Sequence, residues 1–290
     1  MLARVLLIDD FHPALEMGLK AAGFSVIDAR DCSSSVAEIV GLLQTHQPDG
    51  LMVRSKCFVG QDILTASKHL RWVGRGGAGM DNIDDVAAAS LNIHCFNAGE
   101  ANSDAVGEHT LAMLLGLFTN LVKSHREVLD GLWDREGNRG VELRGRTVGI
   151  LGFGNTGSAV ARKLSGFGVR VIAHDKYLTG FGGDMVEEVS EEVLLRESDV
   201  LTLHVPLTAE TKNWLNADRL ALMKSHFWLL NLSRGGVLDL ALVLESLSCG
   251  RLLGFGADVL SVEPPFLGDA AFMDVFNGLC ENNRVILSPH

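Results

Sequence analysis

Three glycines near the middle of the chain have the spacing that is needed to hold a phosphate group. Gly152, Gly154 and Gly157 follow an apolar run at residues 148–151 and precede a helical pattern at residues 158–166. In such a strand–loop–helix unit the first glycine forms a tight turn, and the second lets a pyrophosphate approach the backbone. The third lets the helix pack on the strand, with its N-terminus facing the phosphates. The sequence therefore predicts a dinucleotide site at Gly152, Gly154, Asn155, Thr156 and Gly157.

An acidic residue follows the next predicted strand at the distance that a ribose requires. Asp175 lies 18 residues after Gly157, close to the separation of about 20 residues at which a carboxylate binds the adenine-ribose hydroxyls. The same carboxylate repels the 2′-phosphate of NADP, so we expect the cofactor to be NAD. Lys176 beside it slightly weakens that exclusion. A glycine turn in an unrelated α/β sheet is the alternative, which the strand, the spacing and the acid together oppose.

One arginine, one glutamate and one histidine each follow a predicted strand in the second half of the chain. They are Arg234, Glu263 and His290. A guanidinium suits a planar, two-pronged carboxylate contact. Histidine has the ordinary pKa nearest neutrality, which suits proton transfer. Taken singly, each residue also has a simpler interpretation: a solvated helix start, a loop acid before two prolines and a terminal residue.

Strands and helices alternate along the whole chain, and these elements must position the residues above. In the first hundred residues, strands are predicted at 5–8, 24–27, 50–53, 70–73 and 92–96, with helices at 13–22 and 36–44. A second series of strands is predicted at 147–151, 170–173, 200–203, 228–231, 254–258 and 284–287. Such alternation forms parallel βαβ units, whose ligands bind at the carboxyl ends of the strands. The fold class is therefore α/β, with two doubly wound parallel sheets.

The two series of strands predict two domains, for which 290 residues are sufficient. We expect a substrate domain at residues 1–97 and a Rossmann NAD-binding domain at residues 98–290. The longest helical pattern, residues 103–127, would connect them, with Ser103 as its N-cap. His109 lies in this helix and is expected to be structural.

Composition restricts the class of protein. Lys and Arg number 25 against 36 Asp and Glu, and the net charge of −11 opposes a general nucleic-acid surface. The five cysteines are dispersed, with no pair spaced for zinc, which is typical of reduced thiols in a cytoplasmic protein. The N-terminus lacks a signal-peptide pattern, and the most apolar helical stretch, residues 111–121, is too short to span a bilayer. We therefore expect a soluble, cytoplasmic protein without a nucleic-acid partner, a membrane partner or a metal site.

Several segments, in order along the chain, resemble the D-isomer-specific 2-hydroxyacid dehydrogenase family. They are residues 73–84 (VGRGGAGMDNID), 97–109, 203–208 (LHVPLT), 231–236 (NLSRGG), 258–265 and 287–290. The resemblance extends over residues 5–290. It implies a flavodoxin-like first domain, and it implies hydride transfer between NAD and a small anionic 2-hydroxy or 2-keto acid.

The resemblance also implies roles for the residues at the strand ends. His290 would be the general acid/base, and Glu263 would stabilise and orient its imidazolium. Arg234 would bind the substrate carboxylate and polarise the keto oxygen, while the backbone amides of Gly77 and Ala78 would hold the other side of that carboxylate. The remaining implied cofactor contacts are His204 near the nicotinamide, Pro206 in the same segment, and Asp258 at the carboxamide.

A group of cations in the first domain bears on the choice of substrate. Arg54, Ser55 and Lys56 follow the strand at residues 50–53, and Arg75 follows the next strand. Within the family this triplet is similar to the phosphate clamp of members that oxidise 3-phosphoglycerate, so we expect the pair 3-phosphoglycerate and 3-phosphohydroxypyruvate. In the alternative, Lys56 is solvated, Arg54 forms a structural ion pair, and the substrate is unphosphorylated, such as glyoxylate, hydroxypyruvate or lactate.

The resemblance also bears on the end of the chain, on the functional class and on the assembly. Family members continue beyond the position of His290 with a loop and a helix that return to the first domain, so we expect this return segment to be lacking here. A histidine at the terminus is then expected to be held less rigidly than catalysis requires. A non-catalytic NAD-sensing protein, similar to the corepressors of this fold, is the alternative from another functional class. The subunits are expected to form a homodimer or a higher homo-oligomer.

Overall fold

The computed structural model describes residues 2–290 and divides into two compact units, Met1–Asn102 and Ser103–His290. The division lies a few residues after the expected boundary between residues 97 and 98. Each unit has its own parallel sheet and its own buried apolar core. The predicted α/β class with two parallel sheets is confirmed.

The first unit contains a five-stranded sheet of flavodoxin-like order. Its strands are β1 (Arg4–Leu7), β2 (Ser25–Asp28), β3 (Gly50–Val53), β4 (Trp72–Arg75) and β5 (His94–Asn97). Its helices are α1 (Pro13–Ala21), α2 (Val36–His46), α3 (Gln61–Leu64) and α4 (Asp85–Ser90). The strands pair in parallel in the order β2-β1-β3-β4-β5. This is the order of doubly wound sheets of the flavodoxin type, as the resemblance implied.

Burial accounts for the accuracy of the strand predictions in this unit. All four residues of β3 are buried, as is typical of a parallel strand covered on both faces, and its predicted bounds are the observed ones. The predictions for β4 and β5 began two residues too early. Helices α3 and α4 were not predicted, because four and six residues are too few to display a helical period.

The long connecting helix differs from its prediction at both ends. Helix α5 (Gly99–Phe118) begins before Ser103, which is buried inside the helix, so the prediction of Ser103 as the N-cap is wrong. The helix also breaks near Asn120, which has a left-handed φ of 53°, and the chain continues as α6 (Leu121–Leu129). A left-handed residue cannot continue a right-handed helix, and asparagine is one of the few residues that tolerates this conformation.

The second unit contains a seven-stranded parallel sheet of Rossmann order. Its strands are β6 (Thr147–Leu151), β7 (Arg170–His174), β8 (Glu187–Glu188), β9 (Val200–Leu203), β10 (Phe227–Asn231), β11 (Leu252–Ala257) and β12 (Val285–Leu287). Its further helices are α7 (Asn155–Leu164), α8 (Glu191–Glu197), α9 (Ala217–Leu222), α10 (Leu240–Ser248) and α11 (Ala270–Cys280). The strand order is β12-β11-β10-β9-β6-β7-β8. The direction of the order reverses at β6, and a dinucleotide binds at such a point in open α/β sheets.

Apolar layers cover both faces of this second sheet. Leu201 and Leu229 belong to one buried cluster, whereas Val200 and Leu230 belong to another. Successive residues of a strand point to opposite faces, so continuous apolar strands such as β9 and β10 fill both layers. The two-residue strand β8 was not predicted, because its exposed glutamates contribute to neither layer.

Three other features of the described residues bear on function. No single helix within residues 2–290 is long and apolar enough to cross a membrane, and α5 and α6 pass only as a pair bent by 62°. The same residues contain no group of three or more His, Cys, Asp or Glu side chains that could hold a metal ion. All five cysteines are free thiols.

Candidate active site

The glycine loop in the second unit has the shape that a pyrophosphate requires. Gly152 has a φ of 86°, and a Cβ added there would lie 2.7 Å from the carbonyl oxygen of His204. A Cβ on Gly157 would lie 2.0 Å from the carbonyl oxygen of Gly152, so α7 packs closely on this turn. By contrast, nothing lies within 4 Å of a Cβ on Gly154, and α7 begins at the next residue, Asn155. The helix N-terminus therefore opens onto a free approach to the backbone, which fits the phosphates of NAD.

Asp175 lies immediately after β7, and its carboxylate is held by backbone groups. It accepts hydrogen bonds from the N–H groups of Phe153 at 2.8 Å, Tyr177 at 2.9 Å and Leu178 at 2.9 Å. Partial burial alone would raise the pKa of Asp175, but these three N–H groups outweigh it and hold the pKa below its usual value. The carboxylate is therefore ionised beside the glycine loop, where it was expected to meet the ribose.

His204 follows β9, next to the glycine loop, and part of its ring is without a partner. Its Nε2 lies 2.9 Å from Oγ1 of Thr202, whereas its Nδ1 is buried and has no hydrogen-bond partner within residues 2–290. Burial lowers the pKa of His204 to about 4, so the ring is neutral near pH 7. An unsatisfied buried nitrogen is rare in folded proteins and fits a site that a ligand completes. Pro206 lies two residues further on, in the exposed part of the same loop.

His290 and Glu263, which the sequence predicted to act as an acid–base pair, are in direct contact. Nδ1 of His290 lies 2.7 Å from Oε2 of Glu263, although the two residues are far apart in the sequence. The other carboxylate oxygen of Glu263, Oε1, accepts the backbone N–H of Leu260 at 2.8 Å. Both side chains are accessible to solvent. The contact fixes the orientation of the imidazole and leaves Nε2 as the ring nitrogen that can serve a substrate.

Arg234 lies in a turn after β10 that is built by a buried asparagine. Oδ1 of Asn231 accepts the N–H and the hydroxyl of Ser233 at 3.1 and 2.8 Å, and its Nδ2 donates to the carbonyl of Arg234 at 3.0 Å. Nη1 of Arg234 donates to the carbonyl of Ser233 at 2.7 Å. A Cβ on Gly235 would lie 2.0 Å from the carbonyl carbon of Leu260, so glycine lets the turn lie against the loop after β11.

One cavity of the second unit brings the three predicted catalytic side chains together. Its volume is about 730 Å³, and Arg234, Glu263 and His290 all line it. Apolar side chains such as Leu238 and Phe272 form much of the remaining wall. A cavity of this size with a few convergent polar groups is typical of sites for small molecules.

Asp258, the predicted carboxamide contact, is linked to two residues for which the sequence gave no catalytic or binding role. Its Oδ1 accepts the hydroxyl of Ser288 at 2.6 Å and lies 3.4 Å from Nε2 of His109. Ser288 stands two residues before His290. The position of Ser288 at a strand end was the one signal in the sequence that could have revealed it.

In the first unit, the residues after β3 are arranged by a buried aspartate. Oδ2 of Asp9 accepts the backbone N–H of Arg54 at 2.6 Å and that of Lys56 at 3.3 Å. The side chain of Arg54 is exposed and donates from Nη1 to the carbonyl of Asp10 at 3.1 Å, and Ser55 is also exposed. A guanidinium and a hydroxyl are therefore presented at the carboxyl end of β3.

Lys56 differs from its expected role. Its ammonium donates to the backbone carbonyls of Arg30 at 2.5 Å and Cys32 at 2.8 Å. These bonds hold it, half-buried, against the loop after β2. They oppose the prediction that Lys56 faces an anionic substrate, because two of its three ammonium protons are already used inside the unit.

Arg75, Gly77 and Ala78 occupy the loop that follows β4. Nε of Arg75 donates to Oδ1 of Asn82 at 2.9 Å, which draws the guanidinium back over its own loop. The N–H of Gly77 donates to the carbonyl of Arg75 at 2.9 Å, and the carbonyl of Ala78 accepts Nδ2 of Asn97 at 2.6 Å. The loop is thus fixed at the carboxyl end of β4, next to the end of β3.

The sequence of the second unit matches a known family. Residues 111–290, more than half of the chain, match the family described as D-isomer specific 2-hydroxyacid dehydrogenase, NAD binding domain. The chain belongs to the D-isomer-specific 2-hydroxyacid dehydrogenases. The NAD-binding character of the second unit, which the glycine loop predicted, is confirmed by this match.

Relatives of the chain within the D-2-hydroxyacid dehydrogenases carry several names. D-3-phosphoglycerate dehydrogenase of Bacillus subtilis is 36% identical over 249 residues, which are 85% of this chain and 46% of that protein. Hydroxypyruvate reductase of Thermotoga maritima is 34% identical over 244 residues, 83% of this chain and 77% of that protein. The crystal structure of a glyoxylate reductase from Paecilomyes thermophila has a TM-score of 0.85 at 26% identity and covers 99% of this chain and 88% of that one.

The chain corresponds to only a part of several of these relatives. The chain spans about half the length of the curated D-3-phosphoglycerate dehydrogenases that it matches, for example 46% and 37% of two of them. The relatives agree on the family and differ in the acid that their names specify. The similarity therefore establishes the family and leaves several acids as candidate substrates.

Asp175 leads to a prediction about the choice of cofactor. We expect the wild-type protein to bind NADH about 100-fold more tightly than NADPH, because the carboxylate accepts ribose hydroxyls and repels a 2′-phosphate. Asp175→Asn keeps an acceptor for the loop N–H groups but removes the charge, and should narrow the difference to about tenfold. Fluorescence titration of both nucleotides measures the two Kd values.

The control for this prediction removes the same charge elsewhere in the second unit. Glu245→Gln changes an exposed carboxylate in the last turn of α10 and should leave the NADH/NADPH ratio unchanged. Tighter binding of NADPH than of NADH by the wild type would show that Asp175 does not face the ribose.

His204 leads to a prediction about acid sensitivity. An unfolded histidine takes up a proton below a pKa of about 6.5, whereas folded His204 does so only near its pKa of about 4. The neutral ring of His204 therefore contributes to the unfolding free energy in full above pH 6.5. This contribution is lost as the pH falls towards 4, because the unfolded chain takes up a proton that the folded chain does not. Between pH 7 and pH 5 the wild type should lose about 2 kcal/mol more of its unfolding free energy than His204→Gln.

Urea denaturation at the two pH values measures this difference. His125→Gln removes an exposed histidine of α6 and should behave as the wild type does. Equal acid sensitivity of the wild type and His204→Gln would contradict a lowered pKa of His204.

Proposed function

We propose that the protein transfers a hydride between NAD and the C2 atom of a small D-2-hydroxy acid or the corresponding 2-keto acid. The observation that carries this proposal is the contact of 2.7 Å between His290 and Glu263, in the same cavity as Arg234. An acid–base pair beside a guanidinium matches the chemistry of an α-hydroxy acid. Its C–O–H group must exchange a proton while its carboxylate is held.

The second unit would supply the cofactor site. Bound NAD would accept the hydride when the hydroxy acid is oxidised and return it when the keto acid is reduced. The loop of Gly152, Gly154 and Gly157 would hold the pyrophosphate, and Asp175 would hold the adenine ribose. Near the nicotinamide, the unpartnered Nδ1 of His204 offers a polar contact.

The remaining chemistry belongs to the chain's own side chains. During reduction, His290 would donate the proton on Nε2 to the keto oxygen, and it would take this proton back during oxidation. Glu263 would keep Nδ1 in place and stabilise the imidazolium that donates. Arg234 would hold the substrate carboxylate through two parallel N–H contacts and draw electron density from the neighbouring keto group.

As the substrate pair we propose 3-phosphoglycerate and 3-phosphohydroxypyruvate, which would place the enzyme at the start of serine biosynthesis. Arg54 and Ser55 are exposed at the carboxyl end of β3, and a guanidinium with a hydroxyl is suited to a phosphate. Several relatives with 33–40% identity carry the name D-3-phosphoglycerate dehydrogenase, which supports the same choice.

An unphosphorylated substrate such as hydroxypyruvate is the second candidate. The bonds of Lys56 to the carbonyls of Arg30 and Cys32 favour it, because they remove one of the expected phosphate ligands. The name of the Thermotoga maritima relative, of which the chain covers 77%, points in the same direction.

The two candidates differ in their expected specificity. With the phosphate clamp in place, kcat/KM should be at least about tenfold higher for phosphohydroxypyruvate than for hydroxypyruvate, since each charge-assisted contact contributes roughly 1.5–3 kcal/mol. Arg54→Ala should remove this preference and spare hydroxypyruvate, whose carboxylate is held by Arg234. Lys56→Met should lower kcat/KM for phosphohydroxypyruvate and for hydroxypyruvate by the same factor, since the ammonium of Lys56 supports the fold.

Arg71 provides the matched control for this experiment. It is an exposed arginine just before β4, at the amino ends of the strands of the same sheet. Arg71→Ala should therefore leave the preference for phosphohydroxypyruvate unchanged. Preference for hydroxypyruvate in the wild type would assign the unphosphorylated substrate. Binding of NADH without turnover of any keto acid would favour the non-catalytic NAD-sensing alternative.

We also propose that the protein is a cytoplasmic homodimer or higher homo-oligomer. Leu129, Leu132 and Trp133, in and just after α6, are exposed by 73%, 52% and 76%. Large apolar side chains that are exposed within such a short segment support a contact with another subunit. The five free thiols suit a reducing compartment such as the cytoplasm.

A further inference from the structure

Three side chains from separate elements meet at the carboxyl ends of two neighbouring strands of the second sheet. Asp258 follows β11, Ser288 follows β12, and His109 lies in α5. Strands β11 and β12 pair in parallel, so their ends lie side by side. Neither Ser288 nor His109 has a role in the acid–base pair or in the glycine loop.

The contacts among these three side chains end on one carboxylate oxygen. The hydroxyl of Ser288 donates to Oδ1 of Asp258 at 2.6 Å. Nε2 of His109 lies 2.9 Å from the same hydroxyl and 3.4 Å from the same Oδ1. Side-chain contacts with charged groups at such distances are stronger than ordinary hydrogen bonds.

The direction of each hydrogen bond follows from the chemistry of the groups. An ionised carboxylate only accepts, so the single proton of the Ser288 hydroxyl is used by Asp258. The hydroxyl oxygen can then only accept from the imidazole, so the ring of His109 carries a proton on Nε2. The result is a directed chain from His109 through Ser288 to Asp258.

This arrangement leaves the second oxygen of the carboxylate as an acceptor. Within residues 2–290, no hydrogen bond reaches Oδ2 of Asp258. Oδ1 is fixed by the chain of hydrogen bonds, and the backbone N–H of Asp258 is fixed by the carbonyl of Asn231 at 3.1 Å. A carboxylate that is held at one oxygen presents the other in a defined direction.

We propose that Ser288 and His109 are positioning residues that aim Oδ2 of Asp258 at the carboxamide N–H of the nicotinamide. The pair would then make the protein select dinucleotides that carry an amide donor on the pyridine ring. This inference rests on the proposed binding of NAD at these strand ends, which the glycine loop and Asp175 support independently.

The backbone around Ser288 also connects this recognition to the acid–base pair. The N–H of Ser288 donates to the carbonyl of Ala257 at 3.0 Å, and the N–H of His290 donates to the carbonyl of Ser288 at 3.1 Å. The same turn therefore fixes the residue that orients Asp258 and the histidine that transfers the proton. A cofactor whose ring is held by Asp258 would be held in register with His290.

Binding measurements with three nucleotides test the inference without relying on turnover. Reduced 3-acetylpyridine adenine dinucleotide has a methyl ketone in place of the amide, so it lacks the N–H, and ADP-ribose lacks the whole ring. The wild type should bind NADH at least about tenfold more tightly than the acetylpyridine analogue. Ser288→Ala and His109→Leu should each reduce this ratio to about threefold or less and leave the Kd of ADP-ribose within about twofold.

Conservative variants separate positioning from a merely structural role. Ser288→Thr keeps the hydroxyl and His109→Gln keeps an N–H donor, so both should retain most of the wild-type ratio. An unchanged ratio in both Ser288→Ala and His109→Leu would overturn the inference, as would an equal loss of NADH, analogue and ADP-ribose binding. Failure of the wild type to bind ADP-ribose would instead overturn the NAD site itself and, with it, this inference.

Discussion

Replacing His290 by alanine is expected to lower kcat for keto-acid reduction about 1000-fold, because a positioned general acid contributes roughly 100- to 10,000-fold. The variant loses the only proposed donor of a proton to the keto oxygen. Its Kd for NADH should stay within about twofold of the wild-type value, since the glycine loop and Asp175 are unchanged. Steady-state kinetics with a 2-keto acid and fluorescence titration of NADH measure the two quantities.

Replacing Glu263 by glutamine should also lower kcat, but by less than replacing His290. Glu263→Gln keeps the length of the side chain but removes the negative charge next to Nδ1 of His290, so kcat should fall about 10- to 100-fold. Because Glu263 acts through His290, the double variant should be no slower than His290→Ala alone. Glu281→Gln removes an exposed carboxylate after α11 and serves as the control.

Two results would contradict this mechanism. Unchanged turnover in His290→Ala would show that another group transfers the proton. Additive losses in the double variant would show that Glu263 acts on the substrate directly and not through the imidazole.

Apolar periodicity revealed most of the fold because most strands are buried on both faces. Continuous apolar runs as short as β3 and β10 are typical of strands that are covered on both faces, so their position in the sequence predicts parallel strands. The same argument fails for β8, whose two glutamates are exposed and whose pairing with β7 depends on the backbone alone. It also fails for the start of α5, because the residues before Ser103 carry no apolar period that would mark a first turn.

The site was predictable where function requires a residue type at a fixed distance along the chain. The spacing of Gly152, Gly154 and Gly157 and their distance to Asp175 are local quantities, and the sequence contains them. The direction of the Lys56 ammonium is not local, since it depends on carbonyl groups more than 20 residues away. For the same reason the bond between His109 and Ser288, 179 residues apart, could not be predicted.

Replacing Arg234 by alanine should lower kcat/KM by about as much as replacing His290 lowers kcat. Unlike the effect of His290, this loss should depend on the carboxylate of the substrate. Two charge-assisted hydrogen bonds of roughly 1.5–3 kcal/mol each correspond to a loss of about 1000-fold in kcat/KM for Arg234→Ala. Arg234→Lys keeps the charge but cannot form the two parallel contacts, so its loss should be about 10- to 100-fold. Arg196→Ala, which changes an exposed arginine of α8, controls for the removal of one cation from the unit.

A substrate without the carboxylate distinguishes binding from damage to the site. Hydroxyacetone has a methyl group where hydroxypyruvate has its carboxylate, so the wild type should reduce it far more slowly. In Arg234→Ala the slow rate with hydroxyacetone should be nearly unchanged, because the lost interaction is one that this substrate never makes. Because the turn around Arg234 is built by the side chain of Asn231 and by Gly235, truncation of the guanidinium should leave the backbone in place. Equal losses for hydroxypyruvate and hydroxyacetone would therefore show that Arg234 supports the active site without binding the carboxylate.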